Sequence, residues 1–369
     1  MKKWLVSLLA LILASGMFTS PVYALARFKQ KPVVLSVKAT PDATYETTRK
    51  IREKGLAKKL LHAREKSSGH PMPLSDVTLL VGSRRFLVDR KGNVYDLDSE
   101  KQAVLPEAVE KRLLRYAGRV RKKHYGALVP WVKVKEWIPR KAVFTVRDLR
   151  TGKRFEVQRR AGSAHADVQP LTREDTKKMK EIYDGKWSWR RRAILVEAHG
   201  RRIAASMHGM PHGAGALANG FPGHFCIHFL GSTTHRTKKV DPTHEIMIYE
   251  AAGKIHDFLE KATPYEIVDT FFVAANQKDD HLLKRILSRK DEEQVKELLE
   301  ILDPMDAIKP DTTLWKEDSP IVGVELPVIA RIYENGHGKM KRKLLFIVSR
   351  NAPGERWLID TQALLECFK

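Results

Sequence analysis

The sequence predicts an α+β protein of several domains, a mainly β middle unit flanked by small α+β units. Three observations carry that expectation. Strand-like alternation of apolar and polar residues runs through 76–97, 143–160 and 193–207 and returns from 321 onward. Helix-start signals interrupt it, among them the capping-box pattern Thr172-Arg173-Glu174-Asp175 and the pairs Asp241-Pro242 and Thr263-Pro264. The chain has 369 residues, enough for two or three domains of about 100–200 residues each. Its boundaries fall at 1–26, 27–128, 129–262 and 263–369.

Segment 1–26 has the form of a signal peptide: Lys2-Lys3, an apolar core over 4–14, and the small-x-small run Ala24-Leu25-Ala26. The mature chain is therefore expected to be secreted, extracytoplasmic and at the cell wall. No later run reaches the roughly 18 apolar residues of a spanning helix, so no transmembrane segment is expected in the mature chain. No cysteine closely follows the apolar core, which argues against a lipid anchor. The formal charge of +23 favours an anionic partner. Outside the cell that means anionic cell-wall polymers or phospholipid head groups, and no nucleic acid; a well-solvated basic surface is the bland alternative. Two cysteines exclude a disulfide framework, although one bridge between Cys226 and Cys367 stays open.

The N-terminal unit begins basic and extended, then reads as a charged helix over 45–65. Residues 76–97 read as a hairpin around the turn Lys91-Gly92-Asn93, and 106–116 as an amphipathic helix with Pro106 in its first turn. No motif there points to catalysis. In the middle unit, 129–139 reads as a strand and 143–160 as two more joined at Arg150-Thr151-Gly152. A loop over 162–172 carries His165 and Asp167, and a helix then runs from Thr172 to about 183. Trp187 and Trp189 read as packing aromatics, or, if exposed, as the lining of a glycan or peptide groove. Strands 193–198 and 202–207 flank a His199-Gly200 turn, and a helix spans 241–259. The last unit has helices over 263–272, 279–288 and 291–302, then a meander with turns at Asn335-Gly336 and Pro353-Gly354. Helices followed by a meander resemble the cone-shaped α+β domains of the NTF2-like group, which implies an accessory or dimerising module.

Chemistry concentrates in 201–235, RRIAASMHGMPHGAGALANGFPGHFCIHFLGSTTH, where Cys226 sits among five histidines. The apolar run 203–207 reads as a buried strand, and His208-Gly209 and His212-Gly213 lead into a loop rich in Gly, Ala and Pro. In the returning segment, alternation sets His224, Cys226 and His228 on one side and Phe225, Ile227 and Phe229 on the other. A thiol with an ordinary pKa of about 8.5 becomes a strong nucleophile toward an amide carbonyl when an imidazole activates it. Cys226 has such neighbours.

A strand ending in His-Gly, a Gly-rich loop and a His-x-Cys-apolar segment resemble the L,D-transpeptidase (YkuD-like) catalytic domain. That family carries a His, a spacer, then Ser/Thr-His-Gly-Cys, an apolar residue, and Arg or Asn. Here 14 residues, 209–222, separate His208 from Gly223-His224-Phe225-Cys226-Ile227-His228, a spacing within the family's range. Gly223, Phe225 and His228 depart from the pattern. The resemblance covers 129–259 and is specific over 203–228. It implies a cysteine acyltransferase that acts on peptidoglycan stem peptides through a thioester, with no cofactor and no metal. Cys226 would be the nucleophile and His208 or His212 the base, with a slight preference for His208 at a rigid strand end. His224 and the backbone N–H groups of Phe225 and Cys226 would face the oxyanion. Gly209, Gly213, Phe225, His228, His165 and Asp167 would line the substrate path, where Phe225 replaces a residue without a side chain.

Two other readings compete. A zinc-dependent cell-wall peptidase or amidase has donors in His165, Asp167, His212, His224, Cys226 and His228, although no recognised ligand spacing is present. A non-catalytic wall-polymer-binding protein would keep Phe225 in the old substrate path. His235 and His244 are expected at the surface or a helix end, and His199 in a turn.

Overall fold

Alternating apolar residues between 33 and 104 build a seven-stranded antiparallel sheet from β1 (Val33–Val37), β2 (Thr47–Ile51), β3 (Arg64–Lys66), β4 (Val77–Val81), β5 (Arg84–Val88), β6 (Val94–Asp96) and β7 (Gln102–Val104), in the order β2-β1-β4-β5-β6-β7-β3. The computed structural model describes residues 32–69, 71–235, 237–311, 321–334 and 338–369. The expected signal peptide and the Asn335-Gly336 turn lie outside the described residues. Helix α1 (Leu56–Leu61) is short, and α2 (Glu107–His124) lies against β1 and β2, burying Val109, Leu113, Ala117 and Val120 at helical spacing. The apolar stripe continues past 116, which is why α2 runs further than its first turns indicate.

The helix expected over 45–65 is instead β2, α1 and β3. Thr47 and Ile51 pair with Val37 and Val33, and Thr48, Arg49 and Lys50 stay exposed on the sheet's edge. Charges on an edge strand discourage pairing with another chain, so a basic composition there conceals a strand.

The middle of the chain forms a closed antiparallel barrel. Its strands are β8 (Val143–Asp148), β9 (Arg154–Ala161), β10 (Ala166–Pro170), β11 (Arg191–Ala198), β12 (Arg201–His208) and β13 (Phe225–His228), in the order β10-β13-β12-β11-β8-β9. Phe144, Val146, Phe155, Val157, Val168, Ile194, Ile203, Met207, Phe225 and Ile227 belong to one buried cluster. Residues 131–137 form helix α3 (Trp131–Trp137), not a strand, because Trp131, Val134 and Ile138 are buried at i, i+3 and i+7. Residues 166–170, expected as loop, are fully buried as β10 and pair with both β9 and β13. Helix α4 (Arg173–Ile182) opens with the expected capping box: Thr172 accepts from the Asp175 N–H, and Asp175 accepts from the Thr172 N–H. Asp175 also accepts from the Glu156 N–H at 2.9 Å, tying the helix to β9. The helix expected over 241–259 breaks at Gly253, φ 65°, into α5 (Pro242–Ala251) and α6 (Ile255–Lys261).

Helices α7 (Pro264–Gln277), α8 (Asp280–Ile286) and α9 (Glu292–Leu302) precede a sheet of β14 (Met305–Pro310), β15 (Gly323–Glu334), β16 (Gly338–Ser349) and β17 (Leu358–Ile359), and α10 (Thr361–Glu366) follows. The first strand of this sheet and the final helix are additions to the expected pattern. One apolar core joins the seven-stranded sheet, α5, α7 to α9 and the four-stranded sheet, and takes in Ala193, Leu195 and Ala204 from the barrel. Ile194 and Ile203 belong to the other cluster, so alternate residues of β11 and β12 serve two different cores. Cys226 and Cys367 are both free, so the bridge left open above is not made. Among the described residues, no helix is long and apolar enough to cross a membrane.

Replacing Thr172 with Ala should cost about 1 kcal/mol through loss of the cap. The urea midpoint should fall with an unchanged slope; an unchanged midpoint would show that Asp175 alone holds the helix start.

Candidate functional site

Alternation on three adjacent strands assembles the site. On β12, Ile203, Ala205 and Met207 belong to the barrel cluster, as do Phe225 and Ile227 on β13 and Ala166 and Val168 on β10. The intervening Ser206, His208, Cys226, His228 and Asp167 therefore share the opposite face. Register places Asp167 opposite Cys226 and Ser206 opposite His228. Helix α5, begun by the Asp241 cap and Pro242, lies against β11, β12 and β13 and brings His244 onto that face. The His244 ring stacks on His228 at 3.9 Å, and its Nδ1 is 2.9 Å from Ser206 Oγ. His244 is 3% exposed, so the expected helix-end residue is a buried member of the site. His235, also expected to be peripheral, is exposed, but its Nε2 lies 3.5 Å from Asp167 Oδ1.

The loop after β12 is fixed by a short ladder: the His212 N–H donates to the His224 carbonyl at 3.0 Å, and the His224 N–H to the His212 carbonyl at 2.9 Å. Gly223 has φ 123°, and a Cβ there would come within 2.5 Å of the His212 carbonyl oxygen. At Gly213 a Cβ would strike the His224 ring at 2.4 Å. This close return carries His212 over the thiol: its Nε2 is 3.4 Å from Cys226 Sγ, while its Nδ1–H donates to the Met210 carbonyl at 3.2 Å. His212, rather than the slightly preferred His208, is thus the histidine within hydrogen-bond distance of the thiol, although His208, His212 and Cys226 all offer ligand atoms within 4.8 Å of one another. His208 is buried at the strand end beside Trp189 and His212, and its Nδ1 has no hydrogen-bond partner. His224 is partly exposed, with Nδ1 3.1 Å from the Ala214 carbonyl. Gly209 packs against the Tyr183 ring, and His199 occupies its turn with φ 48°.

Phe225, expected by resemblance on the face of the thiol, is not there. Its side chain is fully buried with Phe155 and Phe221, on the face away from Cys226, because adjacent strand residues point to opposite faces. Trp187 packs edge-on against Phe221, whereas Trp189 is 49% exposed with its ring 5.5 Å from His212.

Behind the thiol, Asp167 is ringed by imidazoles. Its Oδ1 lies 3.7 Å from Cys226 Sγ, 3.2 Å from His165 Nε2 and 4.0 Å from His224 Nε2. Burial alone would raise this carboxyl, but the neighbouring His165, with His224 and His235, brings it down to about 2. The Cys226 thiol is pushed well up, first by burial and then by the Asp167 charge. Burial lowers His212, drives His208 and His244 well below the ordinary imidazole value, and takes His228 to about 2. The resting site thus holds a neutral thiol beside a neutral imidazole.

Two of the cavities elsewhere among the described residues are rich in charged groups. One of about 200 Å³ is lined by Arg150, Tyr183, Arg192, Glu250 and Asp279. The other is an open groove of about 1310 Å³ between α2, the barrel and the turn before α6, and its cations include Arg121, Lys122, Arg147, Arg154, Arg201 and Lys254. Comparison with family models, with curated proteins and with solved structures gives no match to this chain.

Two predictions follow from the packing and the charge state. Changing Phe225 to Ala should cost about 3–5 kcal/mol as a core cavity, read from urea unfolding; a small loss with a changed pocket would contradict its placement in the barrel. Because the buried histidines have depressed pKa values, the unfolded chain binds protons that the fold refuses. Their stabilisation is full above the unfolded value of about 6.5 and is lost as pH falls toward the folded values. The urea midpoint should therefore drop between about pH 7 and 5, less steeply in His228→Asn; a midpoint flat across that window would contradict neutral burial.

Proposed function

We propose that the protein is a cysteine acyltransferase resembling the L,D-transpeptidases, acting on peptidoglycan stem peptides. The observation that carries this reading is the Cys226–His212 pair: Sγ and Nε2 are 3.4 Å apart, and the Met210 carbonyl holds the far side of the imidazole. A nucleophile, a base and a group that orients the base are the minimum for thiol attack on an amide.

The thiol is neutral at rest, so His212 works as a general base during attack. Sγ bonds to the stem-peptide carbonyl carbon as its proton passes to Nε2; Asp167 nearby stabilises the imidazolium. His212 then protonates the departing amine as the C–N bond breaks, leaving a thioester on Cys226. An acceptor amine attacks the thioester, its proton goes to His212, and the sulfur leaves as thiolate and takes that proton back. Water in place of the amine gives hydrolysis. His224 borders the same opening, and Trp189 offers an exposed aromatic face to substrate beside His208 and His212.

In this reading 129–262 is the catalytic domain and 27–128 and 263–369 flank it, the latter as an NTF2-like accessory unit. The protein is secreted by its leader and works in the cell wall. The basic groove along α2 and the barrel suits an anionic wall polymer, whose charge would hold the enzyme at its substrate.

Intact-mass analysis after incubation with disaccharide-tetrapeptide should reveal an acyl adduct on Cys226, absent in Cys226→Ala. His212→Ala should slow its formation by roughly 10²–10⁴-fold, and His208→Ala by less. Adduct formation by Cys226→Ala, or an unaffected rate in His212→Ala, would overturn the assignment. Reversing charge at Lys122 and Arg201 should weaken binding to anionic wall polymer, with the largest difference at low salt; equal retention of both proteins would remove the groove from the account.

A further inference from the structure

The thiol has a second set of neighbours that acyl transfer does not use. His165, Cys226 and His228 offer ligand atoms all within 4.8 Å of one another, and all three residues are buried. His165 is 2% exposed and His228 3%. The His165 Nδ1–H donates to the Thr233 carbonyl at 2.8 Å, which turns the lone pair of Nε2 toward the cluster. That Nε2 and the Nδ1 of His228 have no hydrogen-bond partner, a costly arrangement for buried polar atoms. Nε2 is 3.2 Å from Asp167 Oδ1 but not aligned for a hydrogen bond. A histidine anchored through one nitrogen to a backbone carbonyl, with the other bare, is how imidazoles are oriented toward metal ions.

Asp167 lies beside this trio, although its ligand atom is grouped with those of His165 and His235 rather than with His228. Zinc bonds of about 2.0–2.3 Å in a tetrahedron hold neighbouring donors about 3.3–3.8 Å apart. The His165 Nε2 to Asp167 Oδ1 and Asp167 Oδ1 to Cys226 Sγ separations, 3.2 and 3.7 Å, already match such edges. Imidazole nitrogens with a thiolate and a carboxylate suit zinc and its relatives rather than calcium or magnesium. A dipositive ion would also reconcile a carboxylate lying against a thiol, since it favours the thiolate.

We propose that His165, Cys226 and His228 form a site for a zinc-class divalent cation, with Asp167 the neighbouring carboxylate, and that its occupancy withdraws Cys226 from acyl transfer. On binding, the S–H bond breaks, sulfur keeps the electron pair and forms the metal–sulfur bond, and the proton leaves to solvent by way of His212. The thiolate is then held by metal and cannot attack a carbonyl; removing the metal restores the neutral pair. The gating half rests on the acyltransferase reading, whereas the metal site does not.

Cobalt(II) chloride titrated into the reduced, chelator-treated full chain tests the site. One equivalent should bind, with a sulfur-to-cobalt charge-transfer band that Cys226→Ala removes and Cys367→Ala keeps. His165→Asn and His228→Asn should each weaken binding at least tenfold, with circular dichroism reporting whether each variant is folded. Absence of the band, or equal binding by folded wild type and either histidine variant, overturns the site. In the second arm, acyl-adduct formation is followed with stoichiometric zinc chloride or with chelator. Suppression by zinc and recovery with chelator support the gate, and equal adduct in both overturns it. No adduct in either arm overturns the acyltransferase reading and the gate with it, while the cobalt spectrum alone decides the metal site.

Discussion

The antiparallel register of β10, β13 and β12 is the constraint on which the site depends. Because successive residues of a strand point to opposite faces, pairing Asp167 with Cys226 and Ser206 with His228 sends Phe225, Ile227 and Met207 into one core and the polar groups to the other side. A shift of one residue in β13 would bury Cys226 in the barrel and turn Phe225 outward. Barrel closure resists that shift, since β13 is paired on both edges. The His212–His224 ladder then fixes the loop that carries His212.

This arrangement sets an unusual electrostatic state. Papain-like thiols are activated as ion pairs, with the thiol pKa lowered by an imidazolium. Here burial and Asp167 act in the opposite direction on Cys226, and burial keeps His212 neutral. In the proposed reaction, nucleophilicity is therefore generated during attack, in the manner of a hydroxyl–imidazole pair. The same neutral, lone-pair-rich surroundings are what a divalent cation would complete.

Local periodicity explains what was legible. The strand-turn-strand over 193–207 and the common face of Cys226 and His228 depend on spacing of one or two residues, and both are legible in the chain. The orientation of Phe225 was legible by the same rule, which groups it with Ile227 and Phe229; the motif resemblance, which compares positions without regard to face, placed it in the substrate path. Tertiary contacts decided the rest. Residues 47–51 look like a charged helix until β1 lies beside them, and Val132 and Val134 alternate with Lys133 and Lys135 as in a strand until the burial of Trp131, Val134 and Ile138 selects the helical spacing. His244 enters the site only because α5 packs across β12 and β13, an approach that no local pattern encodes. Asp167 was singled out from its spacing to His165, but its position opposite Cys226 is a pairing across 59 residues.

The central claim is a neutral Cys226–His212 pair fixed by strand register, and the pH dependence of Cys226 alkylation tests it most directly. With chelator present, the rate of iodoacetamide modification at Cys226 should rise continuously between about pH 5 and 9, without an acid plateau, because the thiolate is disfavoured until the medium is alkaline. A rate already high and flat near pH 5 would reveal a preformed thiolate–imidazolium pair and contradict the account.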